Sequence, residues 1–166
     1  MNKYFKVALA VGALAAAGSA SAATATGNLA VTANVASNCL VNSGTMAFGT
    51  YTPGTGDLDV NGSVIVRCSN NLAYTVGLGA GLATGATEAT RSMQNGGTLL
   101  SYILYRDAGR SQNWGQTLAG DRVGGTGAGL GTAQTLTIYG RIPDSGTNLL
   151  ATFGNFADTV LVTINY

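Results

Sequence analysis

ATATGNLAVTANVA, residues 23–36, alternates without a break: Ala25, Gly27, Leu29, Val31, Ala33 and Val35 are apolar or Gly, and the positions between them are Thr, Asn or Ala. A period of two marks a strand with one buried and one wet face. Such a strand has two fates. It pairs as the first strand of its own domain, or it leaves that domain and completes the sheet of a neighbour. The alternation argues against a disordered terminus, but composition does not choose between the two pairings.

Working outward, the residues before this stretch predict a secretory leader over 1–22. Lys3 and Lys6 form a basic start, 7–17 is an apolar run, and Ala20-Ser21-Ala22 offers small residues for cleavage. The run is too short to span a bilayer, which takes about 20 apolar residues. No later segment is long and apolar enough, so the mature chain is expected to be exported with no stable membrane insertion. Past residue 22 there is no Lys, and six Arg face seven carboxylates. That balance offers no basic field for nucleic acid or anionic lipid. The lack of Lys also excludes Lys-to-Asn isopeptide crosslinks, so any polymer would be held by non-covalent contacts.

Cys39 and Cys68 are the two cysteines. In an exported chain an even pair reads as a disulfide, worth about 3–4 kcal/mol for a loop of this length. Two thiols this far apart with no His anywhere make a poor zinc site.

Beyond Cys39 the chain reads as short strands between turns: 46–51, 60–68, 72–82, 99–107, 134–143 and 159–166. Asn95-Gly96 is its strongest hairpin signal. The segment 99–107 is apolar on both faces and is expected to be central. The Gly-rich stretch 108–132 reads as loop. Short strands at this spacing, with 25 Gly and only 2 Pro, predict a single all-β sandwich over 37–166.

Little here points to catalysis. Without His the commonest general base is missing, and with it the Ser-His-Asp and Cys-His arrangements. Asp57 and Asp59 lie in a Gly-Pro turn, where Asp is a good turn former. The cluster 124–131 breaks the dinucleotide spacing, because Thr132 stands where the third Gly belongs. No enzyme activity, cofactor or metal is expected. Trp114 is a candidate ligand or interface residue, its alternative being a core plug. Arg141 is expected to make a structural ion pair.

Several motifs together carry a family resemblance. They are the cysteine pair, Phe48-Gly49 with Tyr51, Leu104-Tyr105 with Asp107, Trp114-Gly115, the string Tyr139-Gly140-Arg141-Ile142-Pro143, and Asp158-Thr159-Val160 before a terminal strand. The mature chain resembles the spore coat U domain family, whose members include subunits of archaic chaperone-usher pili, and looks most like the main pilins of Csu-type pili. Phe156 stands where the family often has Tyr.

The resemblance implies an immunoglobulin-like sandwich that lacks its last strand and is completed by a donor strand from a neighbouring subunit. On it, 23–36 is the N-terminal donor arm, with Gly27, Leu29, Val31, Ala33 and Val35 as donor residues. Val160, Val162, Ile164 and Tyr166 would form the acceptor groove and chaperone contact. The implied partners are identical or related pilin subunits, a periplasmic chaperone and an outer-membrane usher. The implied place is an extracellular pilus serving attachment and biofilm formation. A spore-coat or other surface-layer protein, or a carbohydrate-binding adhesin module, are the alternatives.

Overall fold

A computed structural model describes residues 22–166. The expected leader therefore lies, but for its last residue, outside the described residues. The chain divides into two units, Met1–Asn34 and Val35–Tyr166. In the first, the described residues form no helix or ladder, and Leu29 and Val31 are 87 % and 82 % exposed.

The second unit is all-β, an immunoglobulin-like arrangement of two antiparallel sheets. The larger contains β1 (Cys39–Ser43), β2 (Leu58–Cys68), β7 (Gln134–Ile142), β5 (Thr98–Tyr105) and β4 (Arg91–Asn95), in that spatial order. The smaller contains β6 (Val123–Thr126), β3 (Ala73–Leu78) and β8 (Val162–Asn165), in that order. Two short 3-10 turns, Ala119–Asp121 and Gly146–Leu150, sit in the connections.

The period-two pattern places the core where the sequence suggests. Val64, Val66 and Cys68 of β2, Tyr74, Val76 and Leu78 of β3, and Ile138 and Ile142 of β7 point inward and are buried. Strand β5 runs inside its sheet, with Leu100, Tyr102 and Leu104 inward. The hairpin signal holds: β4 and β5 join through Gly96-Gly97, and Gly96 has φ +57°, which side-chain-bearing residues rarely adopt. Cys39 and Cys68 are directly opposed across β1 and β2 and form a disulfide.

Several expectations need correction. The segment 46–51 is not a strand: it makes no ladder, and Gly49 at φ +76° breaks the extended backbone. The terminal strand is shorter than 159–166, with Val160 and Tyr166 outside the ladder. The Gly-rich stretch is not all loop. It contains β6, whose Gly125 lies against the Tyr74 ring, where a Cβ would come within 2.6 Å of the phenol.

Trp114 is neither a ligand-stacking nor a surface residue. It is 0 % exposed, and its indole Nε1–H donates to the Val76 carbonyl at 2.9 Å, which makes it a core plug with its polar edge satisfied. Arg141 grips Asp59 bidentately at 2.7 and 2.8 Å and reaches Asp57 at 3.1 Å. The two carboxylates are thus committed to a structural ion pair.

Candidate functional site

The sandwich is not closed on all sides. A groove of about 960 Å³ opens into it, and its floor consists of core side chains, among them Val64, Leu78, Leu100, Tyr102, Leu104, Ile138 and Ile142. Strands β1 and β8, which approach each other, each have a ladder partner on one side only. An unpaired edge leaves a row of N–H and C=O groups available to another chain.

The first lip is 44–53. Its apolar side chains reach inward. Phe48 meets Tyr102 edge-on, ring centroids 5.9 Å apart, and Met46 and Phe48 both press on Gly140 in β7, where a Cβ would collide with them. The carboxylate of Asp144 holds the end of this lip. It accepts from Tyr51 Oη at 2.6 Å, from Gly54 N at 2.9 Å and from Gly56 N at 2.7 Å. Those three donors keep the Asp144 carboxyl below the usual carboxylate range, the Tyr51 phenol first among them. Burial, the bond to Asp144 and the neighbouring negative charges push the Tyr51 phenol up to about 12.

The second lip is 151–160. Asn148, buried, anchors its start by accepting from Ser101 N and donating to the carbonyls of Ser101 and Pro143. Gln94 and Ala157 exchange two backbone hydrogen bonds, at 2.9 and 3.1 Å, tying the lip to β4. Asp158 then accepts from Tyr102 Oη at 2.6 Å and from the amides of Leu82 and Thr159 at 2.8 Å each. Burial, together with that bond, drives the Tyr102 phenol well above its ordinary range, so Tyr102 stays a donor. Phe153, on the same lip, is 100 % exposed.

Of the expected acceptor residues, Val160 and Val162 line the groove. Ile164 is half-buried against the core further along β8, and Tyr166 is exposed beyond it. The expected donor residues Gly27, Leu29, Val31, Ala33 and Val35 are all exposed, Val35 at 91 %. Sequence reasoning did not assign Met46, Phe48, Tyr102 or the 151–159 lip to the site. Phe48-Gly49 and Asp158-Thr159 carried a signal only as motifs of the resemblance. Among the described residues no group of three or more His, Cys, Asp or Glu could hold a metal, and no helix is long and apolar enough to cross a membrane.

Residues 25–163 match the Spore Coat Protein U domain. The chain is 40 % identical to "Protein U" of Myxococcus xanthus, over 95 % of this chain and 93 % of that one. In fold it is similar to a chain in the crystal structure of the CsuC-CsuE chaperone-tip adhesion subunit pre-assembly complex, from archaic chaperone-usher Csu pili of Acinetobacter baumannii. The TM-score is 0.52 at 22 % identity, over 80 % of this chain but only 40 % of that one. A match across nearly all of the described residues, together with the all-β sandwich and its opposed cysteines, identifies the chain as a structural, non-enzymatic member of the Spore Coat Protein U domain family.

Proposed function

We propose that the chain is a chaperone-usher type pilus subunit that polymerises by donor-strand exchange. Residues 23–36 of one copy enter the groove of the next and supply the strand missing beside β8. One observation carries this: a single chain presents both an open apolar groove lined by its own core and an alternating segment whose apolar side chains are solvent-exposed. The fit is physical. A strand of about 13 residues spans some 40 Å. Burying Leu29, Val31 and Val35 contributes roughly 5–8 kcal/mol as an upper bound, before ladder hydrogen bonds.

Before assembly an open core is an aggregation hazard. A periplasmic chaperone fills it on this proposal, and an outer-membrane usher exchanges the chaperone for the next arm. The polymer is a cell-surface thread for attachment and biofilm formation. The match to the Spore Coat Protein U domain favours a second reading, a spore-coat or surface-layer component of the same fold. The adhesin-module alternative loses its ligand platform with Trp114 buried.

Deletion of residues 24–36, with electron microscopy and size-exclusion chromatography as readouts, is the test. The full mature chain is expected to form fibres or remain chaperone-bound, and the deletion to give a chaperone-bound monomer with no fibres. Fibres from the deleted chain would show that the arm is not the linker.

A further inference from the structure

We propose that the Cys39–Cys68 disulfide is the point at which tension on the N-terminal arm passes into the middle of the larger sheet, bypassing β1 and the first groove lip. This rests on the proposed exchange, because only an arm held by a neighbour pulls on its own domain.

The arm joins the sandwich at Asn38. There the Ser69 amide donates to the Asn38 carbonyl at 2.9 Å, the Asn38 amide donates to Ser69 Oγ at 2.9 Å, and the disulfide follows at the next residue. Strand β1 has a single ladder partner, β2, and the residues between β1 and β2 form no ladder of their own. Cys39↔Cys68 is the outermost pair of that ladder. A pull at Asn38 on an uncrosslinked chain would therefore load the β1–β2 pairs one after another, from the end, which is how an edge strand peels.

Peeling would not stop at β1. The next residues carry Met46, Phe48 and Tyr51, the side chains that shape the first lip. Its loss would open the groove holding a neighbouring copy's arm. One peeled strand would thus weaken two joints of a fibre.

The crosslink removes that route by fixing Cys39 to β2, which is paired on both sides and to β7 along Leu58–Val66. The far end of β2 is itself tied down. The Cys68 carbonyl accepts from Gly129 N at 3.0 Å, and Arg67 Nη1 donates to the Gly131 carbonyl at 2.9 Å. Force entering at residue 38 is thereby shared across the sheet and need not break its edge.

The test is single-molecule pulling on the full mature chain, with one handle at Thr24 and the other replacing Thr137, an exposed position inside β7. The parent is expected to show no extension step before its main unfolding. Cys39→Ser with Cys68→Ser is expected to add an early step of about 65 Å of contour, the length of residues 39–57 at 3.3–3.6 Å each. Ser69→Ala, with the disulfide intact, should behave as the parent. If the double variant does not fold, parent molecules reduced with a phosphine after tethering should show the same early step.

A double variant or reduced parent without the early step overturns the proposal, as does an oxidised parent that already shows it. Fibre formation is scored separately by electron microscopy. Absent fibres overturn the donor-strand reading, while a missing early step in a chain that forms fibres overturns this inference alone.

Discussion

Two regions of this sandwich are built on opposite chemistry. Beside β4 the sheets are joined by Arg91, which is 0 % exposed and donates to the carbonyls of Gly79, Leu78 and Trp114 at 2.7, 2.8 and 2.7 Å, and also to that of Glu88. Between the lips 44–53 and 151–160 a groove instead runs over core side chains, and the bond from Tyr102 Oη to Asp158 ties its second lip to the larger sheet. A buried cation has to be fully hydrogen-bonded, so the first side admits one arrangement and is closed. Apolar side chains along a groove impose no such geometry on what packs over them, so on the proposed exchange a strand from elsewhere can take up that face. On the proposed exchange this asymmetry suits a subunit that recruits a neighbour, rigid where it is finished and undemanding where it is not.

The contrast can be broken most directly at Arg91. Arg91→Met strands the carbonyls of Gly79, Leu78 and Trp114, and each stranded acceptor costs roughly 1–3 kcal/mol, so a loss on the order of 4 kcal/mol or more is expected. Chemical denaturation of chaperone-free protein measures it. A loss below about 1 kcal/mol would mean that the closed side does not depend on its buried cation.

A smaller effect is expected at the groove's first lip. Tyr51→Phe deletes one hydrogen bond to Asp144, about 1 kcal/mol at neutral pH. The pH dependence carries the sharper signature. The Tyr51 phenol is raised in the folded state, so its contribution is complete below its ordinary value near 10 and is lost as pH climbs through about 12. The Asp144 carboxyl is lowered, so its contribution is present above the ordinary carboxylate range and is lost as pH falls through its depressed value. Melting temperature followed against pH should fall less steeply between pH 10 and 12 in Tyr51→Phe than in the parent. Parallel alkaline limbs would remove Tyr51 from the lip's support.

The smallest effect belongs to the second lip. Phe153 is wholly exposed, and Phe153→Ser should leave the unfolding midpoint of the isolated body within about 0.5 kcal/mol of the parent. A larger change would show that this lip is already part of the finished structure.

How much was legible beforehand follows from which forces write themselves locally. Alternation in 60–68, 72–78 and 134–142 is the direct imprint of a two-faced strand, so β2, β3 and β7 and their buried residues could be read without a structure. The polar pentapeptide of β4 and the glycines of β6 carry no such imprint. The first buries an Arg by long-range carbonyl contacts, and the second is a strand through its ladder with β3, about 50 residues earlier in the chain, with Gly125 leaving room for the Tyr74 ring. Trp114 had two readings as a lone aromatic. The Val76 carbonyl, 38 residues away in sequence, decides between them.

By itself the sequence determined that the chain is an all-β domain with an even pair of cysteines, no His chemistry and an alternating N-terminal segment. These are properties of composition and short-range periodicity, which do not depend on where distant residues end up. Tertiary structure alone decided that β8 ends up with a free edge, that Met46, Phe48 and the 151–160 segment become lips, and that core residues such as Leu100 and Ile138 floor a groove. A vacancy is a relation among strands far apart in the chain, so no local pattern can record it.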